Sequence, residues 1–318
     1  MKDLNFLLEL AKNAAFEGGK EILKFYKSDL DKELKQALMQ NIPIDKDNLP
    51  FKKSKISNSP EQNDSKEKIG YEIYIKPDKS PVTQADLASN DKIFEILSSS
   101  GLPICSEEKI LDKNANEFWL IDPLDGTNDF ISGIGEFCVC IALIKDFRPI
   151  LGVIYIPISN ELFYAIKNQG LHYEKLPNFS SYQDQNAQFS KENLKNVSNK
   201  ASKSLITVSR YSKNKIPNLL AQSLNLEPFR LSSAIKFCKI AEGAAEIYAR
   251  FSPSCIWDNA AGEIIASEAG AVMIDLKTKN SPLYTVQNLK SNEFIVISNK
   301  FLDKKDEILE FIKEHIHK

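Results

Sequence analysis

The sequence predicts a mixed α/β protein that contains both helices and sheets. Apolar residues at helical spacing alternate along the chain with short runs rich in β-branched residues. Several of those runs are continuously apolar, as expected for strands buried on both faces. The length of 318 residues leaves room for roughly two domains. Hydrophobic residues (42%) and charged residues (26%) occur at globular levels, so neither wholesale disorder nor a membrane-spanning chain is expected.

The first part of the chain is predicted to begin with a helix. Apolar residues from Leu7 to Phe25 recur at helical spacing and indicate an amphipathic helix over the first ~25 residues. Residues from about 28 to 68 are polar and interrupted by prolines, and we interpret them as a mobile insertion. The patterns that follow predict a strand at 71–75, a helix at 85–97, a buried strand at 118–121, a hairpin of 137–144 and 150–156, and a further strand at 161–167.

The remaining residues are predicted to form a second domain. A polar stretch at 177–203 precedes the β-branched run 205–208, and this change in composition places a boundary that divides the chain into 1–203 and 204–318. The second part is predicted to contain helices at 235–242 and 258–269, the latter ended by Gly270, and strands at 246–250 and 294–297.

Charge and the rarer residue types disfavour several classes of function. Lysine and arginine total 41 against 43 acidic residues, a net charge of −2, which gives no basic footprint for a nucleic acid polymer or an anionic membrane. Histidine occurs only at 172, 315 and 317, so a Ser-His-Asp triad or a histidine zinc site has almost no material. Arginine is confined to 148, 210, 230 and 250. The five cysteines include no C-x-x-C pair and no signal peptide is recognised, so a reducing, cytoplasmic compartment is expected.

The chemistry is therefore expected to rest on carboxylates, which occur in groups beside apolar runs. Oxygen ligands select a hard cation such as Mg²⁺. The six residues 122–127 (D-P-L-D-G-T) can supply two carboxylates, a carbonyl and, at the start of a helix, backbone amides for a phosphate. Taken singly, each piece is more often a turn, a solvated pair or a helix cap, but the ordered series favours a site. The candidate residues are Asp86, Glu107, Glu108, Asp122, Leu124, Asp125, Gly126, Thr127 and Asp258.

Two longer segments carry a resemblance to a known family. The segments 119–130 (WLIDPLDGTNDF) and 257–263 (WDNAAGE) resemble the two signature segments of the inositol monophosphatase-like family of Mg²⁺-dependent, lithium-sensitive phosphomonoesterases. The resemblance covers nearly the whole chain except the two polar stretches. It implies the αβαβα sandwich of the sugar phosphatases, the fold of inositol monophosphatase and fructose-1,6-bisphosphatase.

The same resemblance implies a role for each candidate residue. It implies that Asp86 and Thr127, together with Glu107, position and deprotonate the water that attacks phosphorus, and that Glu108 supports the metal ligands. It also implies two or three Mg²⁺ ions per site, which Mn²⁺ can replace. The implied metal ligands are Glu107, Asp122, Leu124 through its carbonyl, Asp125 and Asp258.

Four shorter segments point to one branch of that family, the CysQ-type 3′(2′),5′-bisphosphate nucleotidases, which remove the 3′-phosphate of adenosine 3′,5′-bisphosphate. These segments are 78–83 (DKSPVT), 135–137 (GEF), 232–238 (SSAIKFC) and 248–251 (YARF). Inositol-handling members carry an acidic residue where this chain has Phe251, preceded by Arg250, and a cation there suits a second phosphate better than a polyol. The implied substrate contacts are Gly126, Thr127, Ser233, Lys236 and Arg250.

The resemblance also has departures and alternatives. Residues 209–212 read S-R-Y-S where that branch has S-R-S-H, so a contact made by the histidine of relatives does not carry over. Ser233 and Lys236 could instead form a capped helix with a lysine that extends to solvent. An inositol or sugar monophosphatase, or a catalytically silent regulator that binds Mg²⁺ or a nucleotide, are the alternative functions. The sequence leaves open a monomer or a homodimer, and peripheral association with the cytoplasmic face of the inner membrane.

Overall fold

The structure is a computed structural model that describes residues 3–26, 73–75, 81–113, 115–176, 191–192 and 204–315. The insertion predicted at about 28–68 lies outside these residues, as does nearly all of the polar stretch 177–203. Of the strand predicted at 71–75, the described part, 73–75, is confirmed.

Seven α-helices lie in the described part of the chain, and the four that the sequence predicts are among them. They are α1 Leu4–Phe25, α2 Gln84–Leu97, α3 Thr127–Ile131, α4 Ile216–Ser223, α5 Ile235–Ala241, α6 Ala260–Glu268 and α7 Lys305–His315.

Sixteen strands are described, and they form two large sheets and two small ones. They are β1 Ile73–Ile75, β2 Pro81–Thr83, β3 Ile104–Ser106, β4 Glu117–Asp125, β5 Cys138–Lys145, β6 Arg148–Ile156, β7 Glu161–Ile166, β8 Leu171–Lys175, β9 Lys191–Glu192, β10 Leu205–Ser209, β11 Glu227–Leu231, β12 Ile247–Arg250, β13 Ser254–Cys255, β14 Val272–Asp275, β15 Lys290–Ser291 and β16 Phe294–Ile297. The small sheets are the pairs β1–β2 and β13–β15.

The first large sheet has seven strands in sequence order, β3 to β9. Its β3–β4 pair is parallel and the rest is an antiparallel meander. The predicted hairpin is confirmed, but its turn is shorter than the predicted loop, because Asp146 and Phe147 both take positive φ and join β5 to β6 directly. A two-residue turn of this type matches the twist of the two strands.

The second large sheet has five strands in the order β11-β10-β12-β16-β14. The strands β11, β10 and β12 are parallel to one another, whereas β16 runs antiparallel to both β12 and β14. The predicted strands at 205–208, 246–250 and 294–297 are therefore neighbours in one sheet.

Three hydrophobic cores alternate with the two sheets. On one face of the seven-stranded sheet, α1 and α2 bury apolar residues such as Leu7, Ile93 and Ile141. Between the two sheets, α5 and α6 pack against residues such as Cys140 and Phe294. On the outer face of the five-stranded sheet, α4 and α7 complete a third core. The layers therefore follow the order αβαβα, which confirms the predicted sandwich.

The strands of the sheets explain the continuous apolar runs in the sequence. Along β5, Val139 and Ile141 face the α1 and α2 layer, whereas Cys138 and Cys140 face the core between the sheets. Because side chains alternate between the faces of a strand, burial on both faces requires an apolar residue at every position. Cys138 and Cys140 are buried core residues, whereas Cys255 is only partly buried.

The division at residue 203 stays a prediction. The seven-stranded sheet lies before that residue and the five-stranded sheet after it, but the core between the sheets takes residues from both parts. Among the described helices, none is both long and apolar enough to cross a bilayer.

Candidate active site

The carboxylates of Asp122 and Asp125 lie at the end of β4. The sequence predicts that this strand spans 118–121, but it continues to Asp125 because β5 pairs with it, and the register shifts between Asp122 and Asp125. This irregularity contains Pro123, which cannot donate a ladder hydrogen bond. The Asp122 carboxylate accepts a hydrogen bond from the Leu124 amide at 3.1 Å, which fixes its direction within the bulge.

Gly126 forms the turn that joins β4 to α3. Its φ of +102° lies in the region that favours glycine, and a Cβ there would lie 2.7 Å from the carbonyl oxygen of Glu136. The chain can therefore pass this close to Glu136 only with glycine. The turn places Thr127 at the first position of α3, so that its Oγ1 lies 3.2 Å from the Leu124 carbonyl oxygen.

Asp86 lies in the first turn of α2 and faces Thr127. Its Oδ2 accepts hydrogen bonds from the Thr83 amide (2.8 Å) and hydroxyl (2.6 Å), which completes a capping box. Its Oδ1 lies 3.1 Å from Thr127 Oγ1. Burial raises the pKa of Asp86 to about 6, although the hydrogen bonds from Thr83 lower it, and the charge of Glu108 raises it further. Asp86 therefore caps its helix and also contacts the candidate site.

Two further polar residues of α2, Ser89 and Asn90, form hydrogen bonds to β4 and β3. The Ser89 hydroxyl donates to the Pro123 carbonyl at 2.9 Å. The Asn90 carboxamide oxygen accepts from the Ser106 hydroxyl at 2.7 Å, and the Ser106 oxygen accepts from the Glu108 amide at 3.3 Å. One face of α2 thus fixes both the bulge in β4 and the turn that carries Glu107 and Glu108. Ser89 and Asn90 are not among the residues predicted from the sequence, although their spacing from Asp86 places all three on one helix face.

Asp258 approaches the same place from the other half of the chain. It lies just before α6, and its Oδ2 accepts a hydrogen bond from the Cys255 amide at 3.1 Å. The Arg250 guanidinium lies 3.8 Å from that oxygen and also donates to the Pro253 carbonyl at 3.0 Å. The Arg250 Nε is buried and makes no hydrogen bond within the described residues.

The electrostatics show that the four acidic residues among the predicted metal ligands lie close together. Burial raises the pKa of Asp122 well above its usual value, and the charges of Glu107, Asp125 and Asp258 raise it further. Burial and Asp258 raise the pKa of Asp125 to about 7, while the Lys236 ammonium lowers it. Burial also raises the pKa of Asp258, against the effect of Arg250. Buried carboxylates that repel one another are the donor set that a multivalent hard cation neutralises, so the residues fit Mg²⁺.

Two thiols border this cluster on the core side. Cys138 Sγ lies 3.9 Å from Asp125 Oδ2 and 3.8 Å from Cys140 Sγ. The contact with Cys138 and burial keep the pKa of Cys140 well above its ordinary value. Because a soft metal binds the thiolate form, the thiols favour a role in packing, and the oxygen ligands define the site.

Among the predicted substrate residues, Ser233 lies on the turn between β11 and α5, Lys236 in the first turn of α5, and Arg250 at the end of β12. Ser233 takes φ +55°, unusual for a residue other than glycine. Lys236 is buried at 1% exposure; its ammonium donates to the Ser233 carbonyl and lies 5.2 Å from the centre of the Tyr248 ring. It is therefore an internal cation, and the alternative of a lysine that extends to solvent is wrong. Direct contact between Lys236 and a phosphate stays a prediction.

A second charged cluster beside the site was not found by the sequence analysis. Arg210 makes two hydrogen bonds to the Glu136 carboxylate, and Glu136 also accepts from the Ser232 amide at 2.9 Å. The Tyr211 hydroxyl donates to Asp129 Oδ1 at 3.0 Å. Two features of the sequence mark the residues of this cluster, the scarcity of arginine and the G-E-F segment.

Comparison with known proteins agrees with this geometry. The model of the inositol monophosphatase family matches residues 3–314. The chain belongs to the inositol monophosphatase family. A relative from Buchnera aphidicola, 3′(2′),5′-bisphosphate nucleotidase CysQ, is 39% identical over 62% of this chain and 72% of its own length. The CysQ protein of Salmonella typhimurium is 35% identical over 64% of this chain and 80% of its own.

Solved structures of the family agree as well. The crystal structure of CysQ from Bacteroides thetaiotaomicron superposes with a TM-score of 0.68 at 26% identity, and the match covers 92% of this chain and 97% of that one. An inositol monophosphatase from Thermotoga maritima superposes with a TM-score of 0.64 at 19% identity, over 100% and 99% of the two chains, which shows the shared fold. The predicted family, its CysQ-type branch as the source of similar relatives, and the predicted fold are thus confirmed.

Proposed function

We propose that this family member is a Mg²⁺-dependent 3′(2′),5′-bisphosphate nucleotidase that hydrolyses adenosine 3′,5′-bisphosphate to AMP and phosphate, and so recycles a by-product of sulfate assimilation or sulfonation. The observation that carries the proposal is the placement of Arg250. Its guanidinium lies 3.8 Å from Asp258, a proposed metal ligand, and its Nε is buried without a hydrogen bond in the described part of the chain. A second phosphate beside the cleaved one would give the Arg250 Nε–H an anionic hydrogen-bond acceptor.

The proposed metal ligands are the carboxylates of the cluster together with one carbonyl. Glu107, Asp122, the Leu124 carbonyl, Asp125 and Asp258 would hold two or three Mg²⁺ ions, and Mn²⁺ is the proposed substitute. When bound, Mg²⁺ supplies charge stabilisation to the transferred phosphoryl group and the leaving oxygen, and lowers the pKa of water.

Asp86 and Thr127 are proposed to handle the attacking water. Two hydrogen bonds from Thr83 hold Oδ2 of Asp86, which leaves Oδ1 to accept from the Thr127 hydroxyl. The Thr127 oxygen then presents its lone pairs to a water, and the Asp86–Thr127 pair takes up its proton. Glu107 completes the proposed catalytic set, and Glu108, whose charge raises the pKa of Asp86, tunes that carboxyl.

The substrate is proposed to lie between the two halves of the site. The turn at Gly126 and Thr127 would face the phosphate that is cleaved. Ser233, Lys236 and Arg250 would face the other phosphate or the nucleoside. The buried Lys236 ammonium acts through the Ser233 carbonyl, which it holds in place, and as a positive charge near Asp125 and Asp258.

The test is phosphate release by the full chain from adenosine 3′,5′-bisphosphate and from inositol 1-phosphate. We expect kcat/KM to be at least about tenfold higher for the bisphosphate, with activity lost in excess EDTA and inhibited by lithium. Faster release from inositol 1-phosphate would favour the inositol or sugar monophosphatase. Release from neither substrate with Mg²⁺ or Mn²⁺ present would favour a catalytically silent regulator.

A cytoplasmic location is part of the proposal. All five cysteines lie in the described residues as free thiols, four of them buried, which suits a reducing compartment. Peripheral membrane association has no support in the described residues and is not proposed. The proposed partner is the small nucleotide substrate.

A further inference from the structure

The carboxylate of Glu136 joins two segments that are far apart in the sequence. Its Oε2 accepts from Arg210 Nε at 3.1 Å and from the Ser232 amide at 2.9 Å, while its Oε1 accepts from Arg210 Nη2. The side chains of Glu136 and Arg210 are 21% and 26% exposed, so water only partly screens the pair. A two-point contact between a guanidinium and a carboxylate also fixes their relative orientation.

The segment that Glu136 holds is the turn of Ser232, Ser233 and Ala234. Ser233 takes a left-handed conformation, which costs free energy unless the surroundings enforce it. The Ser232 amide donates to Glu136 on one side of it, and the Ala234 amide donates to Asp125 Oδ2 on the other. The turn is therefore attached at one end to a proposed metal ligand and at the other end to Glu136.

Glu136 also touches the turn that follows Asp125. Its carbonyl oxygen lies against Gly126, at 2.7 Å from the place where a Cβ would be. Arg210 in turn lies 3.7 Å from Asp129 Oδ1 on α3, beside the Tyr211 hydroxyl. Glu136 thus contacts both turns. Its backbone carbonyl lies against the Gly126 turn, proposed to face the cleaved phosphate, and its side chain binds the Ser233 turn, proposed to face the second phosphate.

We propose that Glu136 and Arg210 are positioning residues that set the distance between the Gly126 turn and the Ser233 turn, and thereby determine the preference for a substrate with two phosphates. This inference rests on the proposed function. A substrate with two phosphates must contact both turns at once, so a shift of one turn against the other weakens its binding. A monophosphate has no second phosphate to place against the Ser233 turn, so its binding is much less sensitive to that shift.

The experiment compares kcat and KM for adenosine 3′,5′-bisphosphate with those for adenosine 3′-monophosphate. For Glu136→Ala we expect kcat/KM on the bisphosphate to fall about tenfold or more, mainly through KM, and to fall less than about threefold on the monophosphate. Glu136→Gln keeps an acceptor for the Ser232 amide, and Arg210→Lys keeps the charge, so both should lose less than the alanine variant.

Two controls separate positioning from general damage. Glu174→Gln alters a carboxylate on β8 that is 1% exposed and bonded to Lys12 and Tyr164, and it should leave the ratio of the two substrates unchanged. The double variant Glu136→Ala/Arg210→Ala should lose no more than Glu136→Ala alone, because Arg210 reaches the Ser233 turn through the Glu136 carboxylate.

The outcomes distinguish this inference from the proposed function. No release from the bisphosphate by the unaltered protein would overturn the proposed function. An active protein whose variants lose the same factor on both substrates, or lose nothing, would overturn the positioning role. If Glu136→Ala does not fold, the same ratio in Glu136→Gln and Arg210→Lys decides the question.

Discussion

At the scale of single residues, the site keeps carboxylates where their charge is costly. Asp122 is 2% exposed, and both burial and its acidic neighbours raise its pKa. A fold selected for stability alone would place apolar or hydrogen-bonded neutral groups here. Binding of a cation by these carboxylates would offset the free-energy cost of burying them together.

Replacing one proposed ligand should therefore lower the activity without lowering the stability of the metal-free protein. We expect Asp122→Asn to lower kcat/KM by more than about tenfold, or ~1.4 kcal/mol in barrier, because a ligand charge is lost. In EDTA the variant should unfold at the same temperature as the unaltered protein or a higher one, because a source of repulsion is removed. Steady-state kinetics and thermal unfolding check the two parts.

Asp275→Asn is the matched control for this prediction. Asp275 is also a buried carboxylate, but it accepts hydrogen bonds from the amides of Lys277 and Thr278, away from the cluster. This variant should lose stability and keep its activity per folded molecule. An Asp122→Asn protein that retained most of its activity would contradict the ligand role.

Gly126 offers a second residue-scale prediction. Gly126→Ala should cost about 1–3 kcal/mol and most of the activity, because alanine is strained at positive φ and its Cβ would collide with the Glu136 carbonyl. Gly170→Ala is the control, since Gly170 takes φ +83° with nothing within 4 Å of a Cβ. If both variants lose equal stability and neither loses activity, the close approach to Glu136 is unimportant.

The sequence predicted the residues of the acidic cluster but not their supports. Asp122, Asp125 and Asp258 lie in long motifs whose residue types already indicate oxygen ligation. The bond between Glu136 and Arg210 joins positions 74 residues apart, and only the pairing of two chain segments creates it. No local pattern encodes such a contact.

At the scale of elements, close packing of α6 on β6 positions Asp258. Gly152 on β6 has no side chain, and a Cβ there would lie 2.4 Å from Ile264 and 2.8 Å from the Ala261 carbonyl. The helix therefore approaches the sheet closely along its first turns, which begin two residues after Asp258.

Enlarging Gly152 should push this helix away from the sheet. We expect Gly152→Ala to cost about 1–3 kcal/mol, as overpacking of a core does, and to weaken Mg²⁺ binding through the displacement of Asp258. Chemical denaturation and calorimetric titration with Mg²⁺ measure the two effects. A variant that is destabilised but binds Mg²⁺ with unchanged affinity would show that Asp258 is positioned independently of α6.

Two of the strands that are not predicted from the sequence have weak local signals. In β11 every residue before Leu231 is exposed, so no alternation marks it, and parallel pairing with β10 creates the strand. The strand β3 has only three residues. By contrast, α1 is long and shows helical periodicity, and β5 and β6 are long apolar runs, so these patterns were sufficient to predict them.

At the scale of the whole molecule, the two sheets bring together carboxylates from distant parts of the chain. Asp122 and Asp125 end a strand of the first sheet, while Asp258 precedes the helix packed between the sheets. Each has a pKa raised above its ordinary value in the folded protein. In the unfolded chain these carboxyls are separated and solvated and titrate at ordinary values.

This difference in pKa predicts how Mg²⁺ binding and pH together affect the free energy of unfolding. Between about pH 4 and about pH 7 the unfolded chain has released protons that the metal-free folded protein still holds, so its free energy of unfolding falls as pH rises. Bound Mg²⁺ would hold the carboxylates ionised and remove this loss. The rise in unfolding temperature on adding Mg²⁺ should therefore grow from about pH 5 to about pH 7.5, and Asp125→Asn should reduce that growth. If the unfolding temperature rises by the same amount at every pH, the cluster releases no protons when Mg²⁺ binds, which would contradict its assignment as the metal site.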